Sequence, residues 1–380
     1  MTTNGITTTP DRNSAQAPGK LILSGEHAVV YGAPALAVAL DRYTEVWFTP
    51  ILGSKGLRTA FDNLSQGQFY PIELLKSFKQ GLDRRFDAFT RGDLTVQKIL
   101  KRPDDLAVYT MALLLNYVPV PGVTSTKRLP MPGLLSSKSD LPLGAGMGSS
   151  AAIIAATFVL YEHLLKYSQS DQERFERVRF CERLQHGNGS AIDAATVVYG
   201  GMNRIDNGEL SHLKLKEDHS LLRGDGWYWV LHGKPDAPTG ECVAKVRDNH
   251  GDDTILWDAF TECTNTLQIA IEEMRDPREI IKENNALLQK IGVVPTAAKG
   301  FVAEVERAGG AAKVSGAGSV RGDKAGTILV HMPEDAAMER LMSKHPDLRW
   351  ERLRITPQGV HLNIREPLSE PIPEDVTVAT

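Results

Sequence analysis

The sequence predicts a mixed fold of the α/β or α+β class, because strand-like and helix-like segments interleave along the whole chain. Two further observations narrow this. A glycine-rich loop, Pro142-Leu143-Gly144-Ala145-Gly146-Met147-Gly148-Ser149-Ser150, runs directly into an apolar helix. The chain has 380 residues, 42% hydrophobic and 24% charged, enough for one large or two ordinary domains with a sizeable core.

The elements follow in order. Residues 20–24 read as a strand closed by the polar turn Gly25-Glu26-His27. The apolar run 35–40 leads into an alternating run, 43–49, which reads as another strand. The region 51–130 is the least legible, with helices predicted at 71–86 and 104–117. Residues 136–141 lead into the glycine loop. The helix predicted over 149–166 is apolar nearly all round, so it should be buried at the centre of the fold. A charged helix, 171–185, follows. Then come the turn His186-Gly-Asn-Gly-Ser190 and an apolar strand at 195–199. Beyond residue 202 the pattern changes. A strand is predicted at 227–231, with helices at 252–274, 280–291 and 296–308. A second glycine turn at 313–319 precedes strands at 326–331 and 359–364. This divides the chain into a disordered N-terminus (1–15), a first lobe (16–205), a second lobe (206–365) and a flexible tail (366–380).

Composition removes several function classes. A net charge of -4 is too weak to imply a partner and argues against a nucleic-acid surface. Cys181, Cys242 and Cys263 are too widely spaced for a zinc cluster or a disulfide framework, which points to a reducing, cytoplasmic compartment. The longest apolar run, 151–161, is too short to span a bilayer, and the first sixteen residues have no apolar core, so no membrane partner or signal peptide is predicted.

Four clusters carry candidate chemistry. In the glycine loop, backbone N–H groups can approach a phosphate closely, and the following helix adds unpaired donors and a positive dipole end. Ser149 and Ser150 stand where a helix takes a cap, and where a hydroxyl could reach a phosphate-bound Mg²⁺. The loop is not a Walker loop, because no Gly-Lys-Ser/Thr follows. Gly148-Ser149-Ser150-Ala151-Ala152 is a nucleophile elbow lacking its last glycine. A plain glycine-rich helix entry is an equal reading of this loop by itself. In the second cluster Lys20 opens a buried-looking strand that ends at Glu26 and His27; alone, these read as an edge lysine and turn residues. In the third, Glu182 and His186 share a helix face, and Asp193 follows a Gly/Asn/Ser turn. One carboxylate near a phosphate loop can hold Mg²⁺ and another can accept a hydroxyl proton, although a solvated charge and a turn former are the simpler readings. The fourth, Ser315-Gly316-Ala317-Gly318, either lines a ligand or makes a tight connection.

Their order and spacing add what no cluster carries alone. Ala17-Pro-Gly-Lys-Leu-Ile-Leu-Ser-Gly-Glu-His-Ala-Val-Val-Tyr-Gly32 resembles the first motif of the GHMP superfamily of galactokinase, homoserine kinase, mevalonate kinase and phosphomevalonate kinase. The loop at 142–152 resembles the second, ATP-binding motif. The segment Glu182 to Asp193 is similar to the one that carries a metal-binding glutamate and a catalytic aspartate, and residues 315–318 resemble the start of the third motif. Four motifs in order, over residues 16–331, make a chance match remote. The Gly-Glu-His-Ala-Val-Val form looks most like the mevalonate kinase branch.

The resemblance implies an α+β, two-lobed GHMP kinase fold. Its first lobe would resemble a ribosomal S5 domain 2-like fold and its second would be ferredoxin-like, with ligands in the cleft between them. It implies ATP and Mg²⁺ as cofactors, a small-molecule acceptor, and a fold compatible with a homodimer. Carried over by position, Gly144, Ala145, Gly146, Met147, Gly148, Ser149 and Ser150 would cradle the triphosphate. Ser150 and Glu182 would hold Mg²⁺, Asp193 would accept the acceptor's proton, and Lys20 would polarise the hydroxyl and orient Asp193. Glu26, His27, Thr239, Gly316, Ala317 and Gly318 would face the acceptor. The implied reaction is phosphoryl transfer from ATP to a hydroxyl of mevalonate. The alternatives are phosphomevalonate or another acceptor, and remotely a serine hydrolase. Three departures bear on the acceptor. The third motif reads Gly-Ala-Gly-Ser-Val-Arg-Gly-Asp-Lys, bringing in Arg321 and Lys324. The turn before Asp193 reads Gly-Ser-Ala-Ile-Asp-Ala. Ile153 stands where the family often has an aromatic residue. An added cation would suit a phosphorylated acceptor.

Overall fold

A computed structural model describes residues 13–51, 54–62, 65–117, 132–142 and 144–364. Most of the segment expected to be disordered, 1–12, lies outside the described residues, as does the tail 366–380.

The first lobe is an eight-stranded sheet backed by helices. Its strands are β1 (Ser14–Ser24), β2 (Ala35–Pro50), β3 (Gly56–Phe61), β4 (Ser65–Pro71), β5 (Gly133–Ser139), β6 (Met202–Asp206), β7 (Glu209–Leu213) and, from the far end of the chain, β12 (His361–Asn363). The order is β12-β1-β2-β5-β3-β4, with β6 and β7 continuing from β2. β1 begins at Ser14, inside the segment expected to be disordered, because Ser14 and Ala15 pair with both β2 and β12. The two runs read as separate, 35–40 and 43–49, are one strand. Asp41 and Arg42 bulge out of the ladder where Pro18 pairs Tyr43 and Gly19 pairs Leu40, and Asp41 N–H donates to Arg354 O at 2.9 Å.

Helices α1 (Leu75–Thr90), α2 (Asp105–Tyr117), α3 (Ser149–Leu164), α4 (Asp171–His186) and α5 (Ala191–Tyr199) cover this sheet. In α3 every residue from Ala151 to Glu162 except Ile153 is buried, as an all-round apolar helix must be. α4 starts on a reciprocal capping box between Ser170 and Glu173. α5 corrects the expected strand at 195–199. A short apolar run does not reveal its own period, and Ile192 and Ala194–Val198 are buried among α3, α4 and the sheet. Its start is set by Ser190, whose hydroxyl accepts the Asp193 N–H at 3.2 Å.

After α6 (Ser220–Arg223) the second lobe runs β8 (Trp227–Leu231), α7 (Thr239–His250), α8 (Thr254–Glu272), α9 (Arg278–Lys290), α10 (Thr296–Arg307), β9 (Ala311–Ser315), β10 (Thr327–His331), α11 (Asp335–Met342) and β11 (Arg349–Arg352). The antiparallel sheet order β11-β8-β10-β9 is the 4-1-3-2 order of a ferredoxin-like unit. A second core lies on it, including Phe260, Leu288, Val302, Ile328 and Met338. The expected lobe boundary at 205/206 differs from the sheet pairing. β7 and β12, both C-terminal to that point, belong to the first sheet.

Among the described residues, no helix is long and apolar enough to cross a membrane.

Candidate active site

The glycine loop and α3 set the frame of the site. The helix is capped by Gly148 with φ +77°, and neither serine acts as the cap. Gly148 is required here for two reasons. A side chain is strained at that φ, and a Cβ would stand 2.6 Å from Lys20 Cγ. The missing side chain lets Lys20 cross from β1 under the helix start. Lys20 N–H donates to Met147 O at 2.9 Å, so the loop and β1 are tied at the same residue. From the other lobe, Thr327 at the start of β10 donates its hydroxyl to Ala145 O at 2.8 Å. Two loop carbonyls are thereby engaged from behind.

Lys20 Nζ reaches Asp193 Oδ1 at 3.0 Å, with side chains 5% and 15% exposed. Asp193 lies in the first turn of α5, where the helix dipole favours a negative charge. Beside this pair, Ser150 donates its hydroxyl to Glu182 Oε1 at 2.9 Å. Glu182 is buried in α4, and that burial, reinforced by the charge of Asp193, pushes its carboxyl up to about 8, against the opposing effects of Ser150 and Lys20. Its second oxygen, Oε2, is buried and has no hydrogen-bond partner among the described residues. An orphaned carboxylate oxygen beside a hydroxyl fits a hard divalent cation. Among the described residues no three His, Cys, Asp or Glu side chains converge on one point, so the protein could supply two ligands and leave the rest to phosphate and water.

His186 was not among the site residues predicted from sequence. Its Nε2 stands 3.4 Å from Ser150 Oγ, and burial holds its pKa below the usual value. The Glu182/His186 spacing of four was the available signal.

The turn residues separate into those at the site and those that join the lobes. Gly316 faces the loop, with its side-chain position 4.0 Å from Gly146 O. Ala317 offers its carbonyl to His27 Nε2 at 3.0 Å. Gly318 turns inward instead, since a Cβ there would meet Val293 O. Glu26, expected to face an acceptor, has a side chain 1% exposed that forms an ion pair with Lys313 of β9. His27 is likewise buried, and burial lowers its pKa. Thr239 opens α7, exposed, with no hydrogen bond to Lys20, Asp193 or Ser150. The turn that carries Glu26 and His27 looks free in sequence and is covered here by the second lobe. Of the two added cations, Arg321 is taken by Glu241, with bonds of 2.9 and 3.2 Å. Lys324 lays its stem along Gly233.

A family profile described as the GHMP kinases N terminal domain matches residues 107–201, which run from α2 through the glycine loop to the end of α5. Over this segment the chain is similar to GHMP kinases. Human mevalonate kinase is 32% identical to this chain over 251 residues, an alignment spanning 61% of this chain and 61% of that relative's length. The mevalonate kinase of Thermococcus onnurineus is 26% identical over 327 residues, 80% of this chain and 86% of its own. The crystal structure of the Methanococcus jannaschii mevalonate kinase superposes with a TM-score of 0.71 at 20% identity, over 91% of this chain and 99% of that one. This last likeness is one of fold, and the two-lobed α+β architecture of this chain agrees with it.

Proposed function

We propose that this chain is a mevalonate kinase, transferring the γ-phosphoryl group of ATP to a hydroxyl of mevalonate. The observation that carries the reading is the Lys20–Asp193 contact at 3.0 Å, set beside Ser150 and Glu182 where the glycine loop enters α3. The names of the similar relatives support it.

Phosphoryl transfer needs positioning and charge neutralisation more than covalent chemistry from the protein. The loop N–H groups would cradle the phosphates. Asp193 would receive the hydroxyl proton on a carboxylate oxygen as the acceptor oxygen attacks. Lys20 holds that carboxylate in place and would steady the negative charge forming on the acceptor oxygen. Ser150 Oγ and Glu182 would hold Mg²⁺, which when bound neutralises phosphate charge. Cys181, Cys242 and Cys263 are free and buried, which supports a reducing compartment such as the cytoplasm.

Two other readings lose support. A phosphorylated acceptor was suggested by Arg321 and Lys324; the Arg321 guanidinium is paired with Glu241 and the Lys324 stem lies along Gly233. A serine hydrolase needs the serine on a histidine and that histidine on a carboxylate. Here the short bond of Ser150 goes to Glu182, and no bond among the described residues joins His186 to a carboxylate.

An ADP-release assay with mevalonate, phosphomevalonate, galactose and homoserine tests the reading. Turnover with mevalonate is the expected result. Its absence at millimolar mevalonate, with the protein folded and ATP bound, would sink it.

A further inference from the structure

We propose that Lys234 is the cation that the phosphate loop takes from the second lobe, and that its ammonium contacts the nucleotide's triphosphate. The inference rests on the kinase reading above.

Residues 142–150 contain no lysine or arginine. A P-loop solves the same problem with its own lysine, placed as a point charge on the phosphates. Lys20 is not free for that task, because it is held at 3.0 Å by Asp193 beneath the helix start. Backbone dipoles alone would leave much of a triphosphate's charge uncompensated.

Lys234 lies in the segment just after β8. Its base is pinned to the neighbouring strand, where His232 N–H donates to Gly326 O at 2.8 Å and Gly326 N–H to Gly233 O at 3.1 Å. Its stem lies over the first glycine of the loop. A Cβ placed on Gly144 would stand 3.3, 3.4 and 3.5 Å from Lys234 Cε, Cδ and Cγ. The ammonium is one bond beyond Cε, so it is held at the loop's edge. The side chain is exposed and makes no ion pair among the described residues. Lys324 packs its stem along Gly233, the residue before Lys234. Arg321, by contrast, is neutralised by Glu241. The lobe that pins the loop through Thr327 would thus also supply the charge the loop lacks.

The test is calorimetric titration of the full chain, in Mg²⁺ buffer, with ATP and with AMP, for the wild type, Lys234→Met and Lys234→Arg. Lys234→Met is expected to weaken ATP by about tenfold to a hundredfold, the range for losing a charged hydrogen bond. AMP binding should hold, and Lys234→Arg should recover most of the ATP affinity. Unchanged ATP affinity in Lys234→Met overturns the inference. So does an equal loss for AMP and ATP, or an effect confined to the KM of the acceptor. A wild type that binds no ATP overturns both the inference and the kinase reading. A wild type whose ATP affinity depends on Lys234 but which phosphorylates no mevalonate overturns only the acceptor.

Discussion

Asp193 and Lys20 are 173 positions apart in the chain and 3.0 Å apart in the fold. Their side chains are nearly buried, so the contact is screened little by solvent and holds both groups in one geometry. Asp193→Asn keeps the shape and removes the negative charge that receives the proton. We expect kcat to fall about 10²–10⁴-fold, the usual worth of a positioned base, with ATP still binding. Steady-state kinetics alongside ATP titration checks this, and near-normal kcat would remove Asp193 from its role. Lys20 and Asp193 could be picked out because each sits in a motif of the resemblance. The hydroxyl of Ser150 could not be oriented that way. Whether it caps its helix or turns to Glu182 depends on α4, which begins 21 residues later.

Individual elements carry two further expectations. Gly148→Ala puts a side chain at φ +77° and against Lys20 Cγ. The backbone strain alone costs about 1–3 kcal/mol. Displacement of Lys20 should lower activity by more than that loss of stability explains. Chemical denaturation paired with kinetics on the folded variant measures the two effects separately.

The second expectation concerns β10. Its last residue, His331, packs edge-on to Trp227 of β8 at 4.6 Å between ring centres. Burial pushes its pKa down to about 4, with Arg278 adding to the shift and Asp276 opposing it. The sign follows directly. The unfolded chain takes up this proton near the ordinary value of 6.5 and the folded one only near 4, so stability is intact above 6.5 and is lost as the pH falls towards 4. Melting temperatures measured over that window should decline less steeply for His331→Phe than for the wild type. An identical decline would remove His331 as a source of acid sensitivity. At this scale α3 was readable because its apolar pattern is long, whereas α5 was misread because a run of five largely apolar, partly β-branched residues suits either a strand or a helix.

Across the whole molecule, β1 is the shared boundary of the two lobes. Ser315 of β9 exchanges hydrogen bonds with both backbone groups of Ile22, at 2.9 and 3.1 Å. Ser24 meets Thr264 of α8 at 2.7 Å and Asn284 of α9 at 2.9 Å. Glu26 and Lys313 close this seam with an ion pair whose side chains are 1% and 0% exposed. A buried pair is poor at adding stability, but removing one partner strands the other. Glu26→Ala should therefore cost about 3–5 kcal/mol, and adding Lys313→Met to it should recover much of that loss. Denaturation of both variants decides it. A Glu26→Ala protein as stable as the wild type would show that the pair is not structural.

By itself the sequence determined the fold class and the glycine loop with its buried helix. Those features are local: apolar period, glycine placement and motif order are properties of consecutive residues. Only the tertiary structure decided which charge meets which. Lys313 goes to Glu26 and Arg321 to Glu241, and Lys234 is left beside the loop. The Lys313 and Arg321 pairs span 287 and 80 positions; the first is set by how the two lobes pack and the second by how the second lobe folds, which no local pattern records.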